Sequence, residues 1–194
     1  MKLCGLTGGV GMGKSTAAGF LLSHGVRVVD TDDLARRLVQ PGQPALTEIA
    51  NTFGAEMILT AGELNRAALA SRVFADPVAR QQLEAILHPR IQAGWLAQVA
   101  AWRAENCPLG CVVIPLLFET QAAAYFERII CVACSPAAQR ERLAGRGWSR
   151  EQIQQRIAAQ WAVEKKISRA DYVIWTEGNP EIHERQIEKV LQRI

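Results

Sequence analysis

Residues 8–15 read Gly-Gly-Val-Gly-Met-Gly-Lys-Ser, the pattern G-x-x-x-x-G-K-S. The apolar run Lys2-Leu3-Cys4-Gly5-Leu6 precedes it, and Thr16-Ala17-Ala18-Gly19-Phe20-Leu21-Leu22 follows. Strand, glycine turn and helix start in that order define a phosphate-binding loop in its proper setting. Glycines let successive backbone N–H groups face an anion, and the helix opening near Lys14 adds the positive end of its dipole. The Lys14 ammonium can reach the β- and γ-phosphates of ATP, and the Ser15 hydroxyl can ligate Mg²⁺. The sequence therefore predicts nucleotide contacts at Gly9, Val10, Gly11, Met12, Gly13, Lys14, Ser15 and Thr16, with Ser15 as the metal ligand.

The remainder of the chain bounds what can be built around that loop. Its 194 residues suit one α/β domain with an insertion rather than two ordinary domains. With 49% apolar and 21% charged residues it reads as a soluble globular protein. No apolar run approaches the roughly 20 residues that span a bilayer, so no membrane association is expected. The first apolar stretch breaks at Thr7-Gly8-Gly9, too early for a signal peptide, which makes the cytoplasm the default compartment. A net charge of +3 argues against a nucleic-acid-binding surface. Five cysteines cannot all pair, which fits a reducing environment. Cys107, Cys111, Cys131 and Cys134 could be read as zinc ligands. However, Cys131 and Cys134 sit three apart on an apparent strand and would point to opposite faces.

Five short apolar runs read as strands buried on both faces: 2–6, 26–30, 111–115, 129–134 and 172–175. Helical segments separate them, which implies a parallel sheet between helical layers. Ser135-Pro136, Asp76-Pro77 and Asn179-Pro180 each place a capping residue before a helix-opening proline. Ser149-Arg150-Glu151-Gln152 is a capping box that opens a helix expected to reach about Lys166. Asp30 and Cys111 are separated by 80 residues, far more than a crossover needs. That interval is helical in pattern, especially over 77–103, with His88-Pro89-Arg90 expected to kink or restart the helix. The expected organisation is a nucleotide-binding core over 1–42 and 106–194, with a lid at about 140–165. A helical substrate-binding insert covers 43–105, and the whole forms one compact unit.

Strand two runs into Asp30-Thr31-Asp32-Asp33. One of these acids can take the proton of an attacking hydroxyl and another can order Mg²⁺ or its waters, while Asp32 or Asp33 could instead cap the following helix. A base suits an alcohol acceptor, because a phosphate acceptor arrives already ionised. Strand three ends Val112-Val113-Ile114-Pro115, without the acid a motor ATPase would carry, and D-x-x-G and N-K-x-D are missing. Arg142 and Arg146, at i and i+4, would share a helix face and close over ATP. Glu119 could contact the acceptor or the metal's water shell. His88 reads as a buried hydrogen-bonded residue or a ligand contact, and Arg90 as a weak candidate for substrate phosphate. His24 and His183 read as surface residues.

Taken together, several motifs resemble the dephospho-coenzyme A kinase family. They are the loop, Asp30-Thr31-Asp32-Asp33-Leu34-Ala35-Arg36, Pro41-Gly42, Phe53-Gly54, Leu64-Asn65-Arg66, His88-Pro89-Arg90-Ile91 and Pro115-Leu116-Leu117-Phe118-Glu119. Gln139 with Arg142-Leu143 and Arg146, then Ala159-Gln160 and Ala170-Asp171, complete the series in family order. The resemblance implies a P-loop NTPase-type α/β three-layer sandwich with a five-stranded parallel sheet, a helical substrate domain and an arginine-bearing lid. It implies Mg²⁺-ATP-dependent phosphorylation of the ribose 3′-hydroxyl of dephospho-coenzyme A. Asp32 then matches the general base, Lys14 and Ser15 the ATP-phosphate and Mg²⁺ contacts, and Arg142 with Arg146 the lid contacts to nucleotide. Arg66, His88, Arg90, Leu116, Leu117 and Glu119 fall at substrate positions, and a monomer or weak homo-oligomer is implied. Two positions depart from the family pattern: Thr176 replaces an Asn near the nucleotide base, and Val113 stands where Asp is frequent. The rival readings are a shikimate-type alcohol kinase and a nucleotide-binding regulatory module without turnover.

Overall fold

The computed structural model describes residues 1–194. Five strands form one sheet: β1 (Lys2–Gly8), β2 (Arg27–Asp30), β3 (Leu109–Val113), β4 (Arg128–Ala133) and β5 (Tyr172–Trp175). Their spatial order is β2-β3-β1-β4-β5 and every neighbouring pair is parallel. The strand carrying the glycine loop is thus central, with Leu6 opposite both Val113 and Ile130. Each predicted strand exists, but β3 begins at Leu109 and stops at Val113, before Ile114-Pro115. Proline has no N–H to extend the ladder.

The helices are α1 (Lys14–Ser23), α2 (Thr31–Leu38), α3 (Pro44–Phe53), α4 (Arg66–Ala75), α5 (Pro77–Ala104), α6 (Pro136–Ala144), α7 (Arg150–Ala158), α8 (Val163–Ile167) and α9 (Pro180–Leu191). The predicted caps are present. Ser135 accepts from Ala138 N–H, Asn179 from Glu181 N–H, and Ser149 with Gln152 closes the capping box. One expectation fails and another is narrowed. The helix opened by Ser149 ends at Ala158, and a separate α8 starts at Val163. In between, the Trp161 N–H donates to the Glu119 carboxylate at 2.9 Å instead of continuing the helix. Pro89 neither ends nor restarts α5, which runs through it. Near the missing proline donor, the Arg90 guanidinium donates to the Ile86 carbonyl at 2.6 Å.

The chain divides into two compact units: Met1–Asp30 with Ala101–Ile194, and Thr31–Ala100. The boundaries expected at 42 and 106 therefore move to 30 and 101. Helix α2 belongs with the insert, where it contacts α3. In the first unit, Leu6, Val113, Ile130, Val132 and Ile174 pack with Ala17, Ala18 and Leu21 of α1 and Ile187 and Val190 of α9. The strand pleat sends alternate residues the other way. An ideal Cβ on Gly5 would lie 2.6 Å from Leu117 Cδ1, and Cys131 feels the charge of Lys166. In the second unit, Val39, Leu46, Ile49, Met57, Leu64, Leu69 and Ile86 form a separate core. No helix is long and apolar enough to cross a membrane.

His183 is the other correction. It is buried on α9, 4% exposed, with its ring edge-on to Phe20 at 5.2 Å and its Nε2 without a hydrogen-bond partner. Burial, and then the Arg142 charge, push its pKa below the ordinary 6.5. The folded state thus favours neutral imidazole, while the unfolded chain takes up a proton as pH falls through 6.5. This contribution to stability is complete above that pH and is lost below it. His183→Phe should shrink the drop in Tm between pH 7.5 and pH 5.5, as scanning calorimetry of both proteins would show.

Candidate active site

The chain leaves the central strand through a turn with no room for side chains. Gly8 has φ +148°, and a Cβ there would lie 2.4 Å from the Val132 carbonyl oxygen of the neighbouring strand. Gly13, at φ +89°, occupies the N-cap of α1, and no side chain caps that helix. The first turn of α1 therefore points backbone N–H groups out of the loop with no acidic residue beside them. The Lys14 Nζ donates to the Gly8 and Gly9 carbonyls at 2.9 Å each, which holds the ammonium across the loop. Ser15 and Thr16 are exposed at the start of α1. Together these groups make a cradle for a phosphate chain.

Two side chains hold the crest of the loop. Gln160 Oε1 accepts from Val10 N–H at 2.9 Å, and Gln139 Nε2 donates to the Val10 carbonyl at 2.7 Å. The last strand contributes Thr176, 7% exposed, whose hydroxyl donates to the Met12 carbonyl at 3.1 Å. Both terminal nitrogens of Arg142 donate to Thr176, one to its hydroxyl at 2.8 Å and the other to its carbonyl. Thr176 thus joins the loop to Arg142. The sequence marked it only as a departure from a pattern. The expected helical pairing of Arg142 with Arg146 is corrected: α6 ends at Ala144, and Arg146 is exposed in the following turn.

The segment after β3 carries a buried ion pair. Lys166, fully buried, places Nζ 2.8 Å from Glu119 Oε1 and donates to the Pro115 carbonyl at 2.7 Å. The Trp161 N–H reaches the same carboxylate oxygen. Glu119 Oε2 is buried without a partner, an acceptor able to take a donor from water or substrate. The Trp161 ring stacks on Phe118 at 6.2 Å and carries the Lys165 ammonium 3.5 Å from its centroid. Sequence reasoning missed Lys166. One of two adjacent lysines in a short charged helix gives no sign of burial until its partner's position is known. Leu116 is half-buried beside this segment, whereas Leu117 is fully buried against Gly5. Leu117 therefore has no surface to offer a ligand, and its expected substrate contact is replaced by a core role.

The second unit holds the other predicted residues. Asp32 and Asp33 lie in the first turn of α2, which begins at Thr31, so neither is the cap. Carboxylates there are favoured by the helix dipole. Asp33 pairs with Arg36 at 2.6 Å, and Asp32 is exposed. Arg66 is exposed at the first position of α4, after Asn65, which caps the helix by accepting from Ala68 N–H at 3.1 Å. His88 is exposed on α5, not buried as one reading expected. Arg90 is half-buried and bonds Glu48 Oε2 at 2.6 Å, tying α5 to α3. Its guanidinium already satisfies that carboxylate and the Ile86 carbonyl.

A parallel sheet in this order, with its central strand opening into a G-x-x-x-x-G-K-S loop, defines a P-loop nucleotide-binding protein, built to hold the phosphates of a nucleoside triphosphate. The model of the dephospho-CoA kinase family matches residues 2–181. A dephospho-CoA kinase of Anaeromyxobacter dehalogenans is 46% identical over 182 residues, covering 93% of this chain and 86% of that protein. The crystal structure of TT1252 from Thermus thermophilus superposes with a TM-score of 0.82 at 33% identity, covering 100% of this chain and 97% of that one. A dephospho-CoA kinase from Campylobacter jejuni gives a TM-score of 0.72 at 25% identity, with 100% and 97% covered. This chain belongs to the dephospho-CoA kinase family.

The ion pair yields a prediction. Lys166→Met leaves the Glu119 carboxylate buried and unpaired, which should lower stability by about 3–5 kcal/mol in urea unfolding. Adding Glu119→Gln to Lys166→Met should recover part of that loss, because the uncompensated charge is gone. An equal loss in single and double variants would contradict the pairing.

Proposed function

We propose that the chain transfers the γ-phosphoryl group of Mg²⁺-ATP to the ribose 3′-hydroxyl of dephospho-coenzyme A, giving coenzyme A and ADP. The observation that carries this reading is the family match across residues 2–181. The organised loop around Lys14 supports it. In the transfer, a bond forms between the 3′-oxygen and Pγ as the bond from Pγ to the β–γ bridging oxygen breaks. The hydroxyl proton passes to the Asp32 carboxylate, and ADP leaves with the bridging oxygen. The Lys14 ammonium and the loop amides hold the β- and γ-phosphates, where negative charge moves during the step. Arg142 has further N–H donors beyond the two held by Thr176, and with Arg146 it offers positive charge to the nucleotide.

Mg²⁺ fits the residues present. The exposed Ser15 hydroxyl at the loop supplies one oxygen. No cluster of three His, Cys, Asp or Glu exists to form an all-protein cage. Mg²⁺ keeps several waters and takes its remaining ligands from phosphate oxygens, so a single hydroxyl is a suitable protein contribution. When bound it would neutralise phosphate charge. On the acceptor side, Arg66, His88, Arg90, Leu116 and Glu119 remain the assigned contacts, with Arg90 the least available. The reading assigns a cytoplasmic enzyme that is a monomer or weak homo-oligomer, without nucleic-acid or membrane partners. Five buried thiols free of disulfides are in keeping with that compartment.

The test is incubation with ATP, Mg²⁺ and a panel of acceptors, including shikimate. ADP should accumulate only with dephospho-coenzyme A, and phosphate should appear on its 3′-oxygen by phosphorus NMR. Turnover of shikimate, or of no acceptor, would overturn the reading. Asp32→Asn should retain ATP binding and lower kcat by about 10²–10⁴-fold, the usual worth of a positioned base. Lys14→Ala should weaken ATP binding and slow turnover together, as calorimetry and steady-state kinetics would register.

A further inference from the structure

The loop crest is held by two glutamines that lie outside the phosphate-binding loop and to which no role has yet been given. Val10 offers one N–H and one carbonyl, and each has a side-chain partner: Gln160 Oε1 at 2.9 Å and Gln139 Nε2 at 2.7 Å. The N–H lies in the Gly9–Val10 peptide plane and the carbonyl in the Val10–Gly11 plane, so neither plane can turn without breaking its bond. Gln139 is 5% exposed on α6, and Leu143, one turn further on, is fully buried. Residues at i and i+4 share a helix face. Leu143 lies against the next loop residue, since a Cβ on Gly11 would sit 2.8 Å from its Cγ. Helix α6 thus grips Val10 by a hydrogen bond and Gly11 by packing. Gln160 comes from a different segment, the connector between α7 and α8. That connector is itself fixed, through Trp161 N–H and Lys166, to Glu119.

We propose that Gln139 and Gln160 are positioning residues for the nucleotide phosphates. By holding the two peptide planes that flank Val10, they set the direction of the amides of residues 11–15 before nucleotide arrives. They also make the segment from α6 to α8 and the loop move as one. Neither glutamine need touch the nucleotide. The proposal rests on the loop being a phosphate site, as the proposed function requires, but not on the identity of the acceptor.

The experiment measures ADP binding by calorimetry, with no acceptor present, for the unaltered protein, Gln139→Met and Gln160→Met. Methionine keeps the length and bulk of glutamine and removes its donor and acceptor. Each variant should bind ADP about 3–10-fold more weakly, the range expected for one net hydrogen bond. Titration is done well below each variant's own Tm, so that only folded protein is read. Unchanged affinity in both variants, with only Tm lowered, would reduce the glutamines to structural roles and overturn the proposal. Failure of the unaltered protein to bind ADP would overturn it together with the proposed function. Turnover of a different acceptor would overturn the proposed function alone. Hydrogen exchange of the unaltered protein gives a second reading that needs no variant to fold. The Val10 amide should be protected both with and without ADP. Rapid exchange in the free protein would show that Gln160 does not hold it, and the proposal would fall.

Discussion

The exit of the central strand leaves no space for a Cβ. At Gly8 the neighbouring strand's Val132 carbonyl lies where a side chain would begin, and that carbonyl belongs to a sheet that cannot shift without moving its whole ladder. Only glycine fits at this point, and the turn that follows delivers residues 9–13 to the start of α1. An uncapped helix N-terminus, a positive-φ glycine at its cap and an ammonium held over two carbonyls all follow from that turn. The parallel sheet is thus a rigid mount for an anion cradle, and its core of aliphatic residues gives it that rigidity.

Polar contacts elsewhere in the first unit converge on the same place. Gln139, Gln160 and Thr176 come from three separated stretches, yet all bond loop carbonyls or amides. Lys166 and Glu119 fasten the connector that carries Gln160. A buried ion pair is a poor source of net stability, because desolvation opposes the Coulomb gain. Its effect here is to fix geometry: one carboxylate oxygen is engaged by Lys166 and the Trp161 N–H, and the other is left open. The segment expected to behave wholly as a lid is, at its carboxyl end, part of the loop's support.

The sequence made the strands, caps and loop legible because each is a local pattern. Glycine spacing, apolar runs and Ser-x-x-Gln boxes act within a few residues, so the loop, the five strands and the caps at Ser135, Ser149 and Asn179 could be read directly. Family motifs spread along the chain extended that reading to the reaction. Errors arose where a distant partner overrode a local signal. The helix after Ser149 broke because Glu119, far away in sequence, took the Trp161 N–H. His183 looked like a surface residue because only α1 and Phe20 reveal its burial. Leu117 looked available because nothing local shows the gap above Gly5 that it fills.

The sequence alone determined the cofactor class, the α/β alternation and the family, since these reside in residue type and spacing. Tertiary structure decided the strand order, which loop groups are clamped, and which charged residues are buried. Those outcomes depend on contacts between residues 40 or more positions apart, as in Glu119 with Lys166, and in the loop on pairs more than a hundred apart, Val10 with Gln139 and Gln160. A hydrogen bond or ion pair of that kind exists only once the sheet has brought its partners together, so no local pattern could have foretold it.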